Sequence, residues 1–147
     1  MREAIPVSTD DVLGPTVVVE SACAGVASAA GRWLCAWRIQ NLCQEPLQLL
    51  AAGLPHSRFR REEQALAPAP TLLPGESARL ALAVACGEPA GTVVENAFLI
   101  LRVLWREQPW RILARLRVTC DPHGVPENST EVITTHPIGF SSHSELS

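Results

Sequence analysis

Between Glu95 and Cys120 the chain runs through two consecutive alternating stretches, ENAFLILRVLW and PWRILARLRVTC, separated by a few polar residues. A period of two puts Ala97, Leu99, Leu101, Val103 and Trp105 on one side of the first stretch, and Trp110, Ile112, Ala114, Leu116 and Val118 on one side of the second. Taking Arg106-Glu107-Gln108-Pro109 as a four-residue loop pairs Trp105 with Trp110, Val103 with Ile112, Leu101 with Ala114, Leu99 with Leu116 and Ala97 with Val118. Every pair is then apolar on both strands. A slip of one residue would turn a whole core set towards solvent, so the segment reads as an antiparallel hairpin with one buried face. Such a hairpin needs other sheet elements to cover that face.

The rest of the chain supplies them. Thr16 to Val19 is a β-branched run, and from Arg32 to Asn41 one face carries Trp33, Cys35, Trp37 and Ile39. Leu47 to Leu54 forms a further strand that Pro55 stops. Pro74-Gly75 fits the centre of a type II turn and feeds a strand from Ala78 to Cys86 whose even residues, Leu80, Leu82, Val84 and Cys86, face the core. SACAGVASAAG reads as a loop or a short helical turn, Arg58 to Gln64 as a charged bridge, and LAPAPTLLPGES as an extended crossing too proline-rich for a helix. The expected organisation is a flexible N-terminal tail at 1–14, a β domain at 15–120 and an acidic, polar C-terminal tail at 121–147 that packs on the domain or stays irregular. The chain has 147 residues, enough to bury one core without metals or disulfides.

The order of elements, the Asn41 that ends the IQN strand, the PGES turn feeding an LxLxV strand and the closing hairpin resemble immunoglobulin-like and fibronectin-III-like bacterial sandwich domains. The resemblance covers roughly Val17 to Cys120 and implies an all-β, antiparallel, two-sheet sandwich of about seven strands. It departs from antibody domains: Cys35 has no partner cysteine on the penultimate strand, and the chain contains no tyrosine, so no tyrosine corner exists. It implies no particular activity.

The second face of the hairpin mixes Phe98, Ile100, Leu104 and Leu113 with Arg102, Arg111, Arg115 and Arg117. A solvated sheet face is more polar than this, which makes these eight residues the candidate surface for a protein partner or a second copy; the bland alternative is a row of arginine stems shielding apolar neighbours, or cover by the tail from Ser129 to Phe140. Phe98 beside Arg117 offers a cation–π contact. All twelve basic residues are arginine. Residues 15–120 hold eleven Arg against eight Glu, a charge of +3, while the two ends are acidic, so neither composition nor any glycine-rich loop points to nucleic acid.

Cys120-Asp121-Pro122-His123 places a thiol three residues before an imidazole, as blue-copper domains do, and His56 after another strand is the candidate second histidine. The alternative function is therefore a small cupredoxin-like metal domain using Cys120, His123 and His56; against it, the one methionine is Met1, and a core-edge thiol beside a turn histidine is the commoner reading. His136 and His143 fall in the tail. No GxSxG elbow or marked carboxylate pair appears, so no catalytic residues, enzymatic activity or cofactor are expected. Cys35, Cys86 and Cys120 fall on inward faces as small hydrophobes, and the four tryptophans read as core. Five cysteines without a CxxC pair, no secretory leader and no apolar run of membrane-spanning length lead to the expectation of a cytoplasmic chain with no membrane partner, on which the sequon Asn128-Ser129-Thr130 is accidental.

Overall fold

The computed structural model describes residues 14–138, apart from the side chains at 23 and 24. His143, Phe140 and nearly all of the expected N-terminal tail lie outside the described residues. Val93–Trp105 (β7) and Gln108–Cys120 (β8) form the hairpin, and the five inward positions expected on each strand are all buried. The register is offset by two residues from the expected one: Trp105 pairs with Gln108, Val103 with Trp110, Leu101 with Ile112, Leu99 with Ala114 and Ala97 with Leu116. The loop is thus only Arg106-Glu107, both left-handed with φ of 54° and 62°. Two left-handed residues give a turn whose twist matches that of the flanking strands. A shift of two keeps every side chain on its own face, so the apolar pattern cannot distinguish the registers; the turn does. Arg106 offsets some of the backbone cost by lying 4.4 Å from the Trp105 ring centroid and pairing with Glu45 at 3.0 Å. The Trp105 and Trp110 rings still meet edge to face, at 5.9 Å.

The remaining strands are Val17–Ala29 (β1), Arg32–Asn41 (β2), Leu47–His56 (β3), Phe59–Ala65 (β4), Thr71–Leu72 (β5), Ser77–Ala85 (β6) and Pro126–Pro137 (β9). Every pairing is antiparallel, in the order β1-β2-β6-β4-β3-β7-β8-β9, with β5 set against β3. Among the described residues this is one nine-stranded sheet rather than two sheets sharing seven strands. Its weakest joint is between β4 and β6, which pair only at Arg60 and Ala85. At the other limit β1 comes against β9, so the sheet wraps nearly closed around a single core.

Three stretches expected to be irregular are strands. The SACAGVASA segment continues β1 through three register irregularities against β2, the charged bridge is β4, and residues 126–137 of the expected tail are β9 along the free edge of β8. Sheet therefore continues past Cys120. The reversal into β9 is made by Asp121, whose Oδ1 accepts the backbone N–H groups of His123 and Val125 at 2.8 and 2.9 Å.

Bulges set which side chains reach the core. In β3, Leu49 pairs with Val103 but Ala51 with Arg102, so the inward series changes phase from Leu47 and Leu49 to Ala52 and Leu54. In β4, Glu62 and Glu63 together stand opposite Gly53, because Ala52 pairs with Gln64 and Leu54 with Arg61. The two backbones approach so closely there that a Cβ on Gly53 would lie 2.9 Å from the Glu63 Cα. The buried Asn41 closes the β2 end: its Nδ2 donates to the Glu45 and Leu72 carbonyls, both at 2.9 Å, and its Oδ1 accepts the Cys43 N–H at 2.7 Å. A buried amide with three partners is a satisfied polar group and not a liability. The Pro74-Gly75 turn forms as expected, with Gly75 at φ 86° and the Glu76 N–H donating to the Leu73 carbonyl.

Candidate functional site

The outer face of β7 and β8 is ordered in cross-strand rows by the hairpin register, and β9 extends each row. Phe98 stands beside Arg115 and Val132, Ile100 beside Leu113 and Thr134, and Arg102 beside Arg111 and His136. Leu104 stands opposite Pro109. The expected Phe98 and Arg117 pair is not formed, because the two-residue shift brings Arg115 across from Phe98 instead. β9 does not lie over this face; it widens it and adds Val132, itself 42% exposed. Phe98, Ile100, Leu104 and Leu113 are each half-buried. The result is an apolar strip, Phe98, Ile100, Leu113 and Val132, that crosses three strands on the solvent side of the sheet.

Arginines frame the strip, and most are already engaged. Arg102 pairs with Glu63 at 2.8 Å, Arg115 with Glu131 at 3.5 Å and Arg117 with Glu95 at 3.5 Å. These exposed pairs hold geometry more than they add stability, since such pairs contribute about 0–1 kcal/mol each. Arg111 has no carboxylate partner among the described residues, although it stands directly opposite Arg102. Like charges in one cross-strand row are unfavourable, and only one of the two is neutralised.

Arg61 was not among the sequence candidates; it pairs with Leu54 of β3 just before the β4 bulge. A groove of about 330 Å³ runs between β4 and the strip, with Leu54, Pro55 and Ile100 as its apolar lining and Arg60, Arg61 and Arg111 among its polar groups. The Arg61 Nη2 donates to Gln64, while its Nε is buried with no acceptor. A buried guanidinium N–H without a partner costs about 1–3 kcal/mol, and more because it is charged. The groove thus presents two arginines, Arg61 and Arg111, with donor capacity left over beside an apolar strip. Nothing in the local sequence FRREEQA shows this, because the place of Arg61 follows from its pairing with Leu54 in the neighbouring strand.

The residues considered for metal binding are not gathered. Cys120 is buried at the end of β8, His123 is exposed in the following turn, and the Nδ1 of His56 accepts the Arg58 N–H at 3.0 Å in the β3–β4 turn. Among the described residues no three His, Cys, Asp or Glu side chains come close enough to hold an ion. Cys120 lies instead against Cys86; burial first, then the neighbouring thiol, push it up to about 11. Such a thiol is protonated and unreactive at neutral pH. Trp37, Trp105 and Trp110 belong to the core, and Trp33 is half-buried against it with its Nε1 donating to the Cys86 carbonyl at 2.9 Å.

The fold and site together define an all-β antiparallel protein with a half-apolar, arginine-framed sheet face. No protein-family profile matches the chain, and a search of curated proteins finds no match either.

Proposed function

We propose that this chain is a non-catalytic protein-interaction module in which the sheet is a scaffold and the β7–β8–β9 outer face docks a protein partner. The observation that carries this reading is the strip Phe98, Ile100, Leu113 and Val132, left on the solvent side and opening into the groove at Arg61 and Arg111. An apolar centre with an arginine rim is the usual anatomy of a docking patch, and the spare guanidinium donors favour a partner with acidic residues at its margin. An immunoglobulin-like ancestry is part of the proposal. Divided at its single-bridge joint, the sheet gives β1-β2-β6 and β4-β3-β7-β8, the A-B-E and C′-C-F-G orders of that fold class, with β9 as an addition. The buried thiols Cys35, Cys86 and Cys120 support a reducing compartment such as the cytosol.

The test is the double change Ile100→Ser with Leu113→Ser. Both side chains are half-exposed, so unfolding free energy should fall by no more than about 1 kcal/mol. Partners retained by the wild-type protein in affinity purification should be lost, or its self-association in sedimentation abolished if the partner is a second copy. Retention of the same partners by the double variant would overturn the reading. So would a loss of more than about 2 kcal/mol in the monomer, which would mark the strip as internal packing.

A further inference from the structure

The joint between β4 and β6 is a second surface with different chemistry. The strands meet at Arg60 and Ala85 and then diverge, leaving the β4-facing edge of β6 without a strand neighbour among the described residues from Ala78 to Val84. Two grooves fill the divergence. One, of about 390 Å³, is lined by Arg32, Arg60, Arg61, Gln64, Ala83 and Ala85 among others; the next, of about 440 Å³, by Leu49, Gln64, Leu66, Ala78, Leu80 and Ala81 among others. They share Gln64, so they form one trough along eight residues of β6, about 26 Å at the usual rise of ~3.3 Å per residue. An unpaired strand edge carries a row of backbone donors and acceptors that a further strand can satisfy. Proteins that keep such an edge closed aim charges along it, whereas β6 presents Ala81, Ala83 and Ala85 outward after Arg79.

Charge is concentrated at the narrow end of the trough. Arg32, Arg60 and Arg61 stand there against Glu62, which pairs with Arg60, and Glu63, which is held by Arg102. Arg32 has no carboxylate partner among the described residues, and the buried Nε of Arg61 has no acceptor. We propose that this seam takes an extended segment of a partner protein as an added strand, antiparallel to β6, with acidic residues at its N-terminal end over Arg32 and Arg61 and small or β-branched residues along Ala78–Val84. The proposal rests on the reading of the chain as an interaction module; the seam shares Arg60 and Arg61 with the groove beside the β7–β8 strip but uses none of the strip's apolar side chains. A second copy is the poorer occupant: in antiparallel β6–β6 pairing about a two-fold axis, Ser77–Ala85 brings no carboxylate of its own to the Arg32, Arg60 and Arg61 cluster of the other copy.

The experiment uses the full chain and two synthetic peptides, acetylated and amidated, sharing one alternating valine–threonine body; one begins with two glutamates, the other with two lysines. The acidic probe should bind saturably and slow hydrogen exchange at the amides of Ala78–Val84, and the lysine probe should bind at least tenfold more weakly. In the Arg32→Glu, Arg61→Glu double variant the preference should invert. If that variant does not fold, as read by its far-ultraviolet circular dichroism, Arg32→Gln alone should weaken the acidic probe several-fold. The Ile100→Ser, Leu113→Ser variant should bind the probe as the wild type does, which separates this seam from the strip. Absence of saturable binding up to about 1 mM, equal affinity for both probes, protection at β1 or β9 instead of β6, or β6 protection from dimerisation without peptide would each overturn the proposal.

Discussion

Cys86 follows β6 directly and Cys120 ends β8, and the two thiols meet at one edge of the core, where both are buried. Their chemistry is visible through composition. With no lysine and no tyrosine in the chain, cysteines are the side chains whose charge changes between pH 9 and pH 11. The folded state holds Cys120 up to about 11, above the ordinary 9.0, because burial and the Cys86 neighbour disfavour the thiolate. Cys43 is shifted in the same direction, chiefly by burial. A raised folded value means that the unfolded chain gives up the proton first. This contribution to stability is fully present below about pH 9 and is lost as pH rises through about 11, at a cost on the order of 2 kcal/mol. Urea unfolding of reduced protein at stepped pH should show that decline, and Cys120→Ala should flatten it after an initial loss at neutral pH. A midpoint independent of pH across this interval would mean that Cys120 is not shifted.

Gly53 is the point on which β4 depends. Replacing it with alanine places a Cβ 2.9 Å from the Glu63 Cα and 3.1 Å from its N, contacts that only backbone movement can relieve. Gly53→Ala should therefore cost about 1–3 kcal/mol in denaturant unfolding, in the range of overpacked cores, and should separate Glu63 from Arg102. An unchanged midpoint would show that β4 is free to shift. The same bulge explains what could be read from the sequence. β6 and β8 are legible because each buries one face and alternates cleanly, β2 and β7 because they do so apart from the buried Ala36 and the break at Glu95-Asn96, and the opposite face of the hairpin, Phe98 to Arg117, follows from the same period. β4 is hidden because Phe59 is its one buried residue, so FRREEQA has no period to show. In β9 the inward positions include Asn128, Thr130 and Thr135 beside Pro126 and Ile133, and polar inward residues conceal the alternation. The hairpin turn is concealed differently: Arg-Glu lacks the Asn-Gly signature, yet both residues are left-handed. Arg61 joins the candidate site only through pairing between strands, which no local pattern records.

Closure of the sheet links its most distant strands. The Trp37 Nε1, in a side chain wholly buried on β2, donates to the Asn128 Oδ1 on β9 at 2.8 Å, and Ile133 of β9 packs against the core. Trp37 also meets Phe59 of β4 edge to face at 6.5 Å, so one indole ties together elements that lie far apart in strand order. A chain truncated after Cys120 keeps β1 to β8, the stretch that the sequence marks as the domain, but loses β9. It leaves the Trp37 N–H without its partner and exposes the inward side of β8 together with its free edge. The orphaned N–H alone costs about 1–3 kcal/mol, and uncovered core side chains add a comparable amount, so the truncated chain should lose more than about 3 kcal/mol. Truncation after Ile138 keeps β9 and should unfold at a clearly higher urea midpoint, followed by tryptophan fluorescence, than truncation after Cys120. Asn128→Ala removes only the acceptor and should fall between the two, with the emission of Trp37 altered in the folded state. Equal midpoints for the chains ending at Cys120 and Ile138 would show that the core closes without β9 and that the folded unit does end at the hairpin.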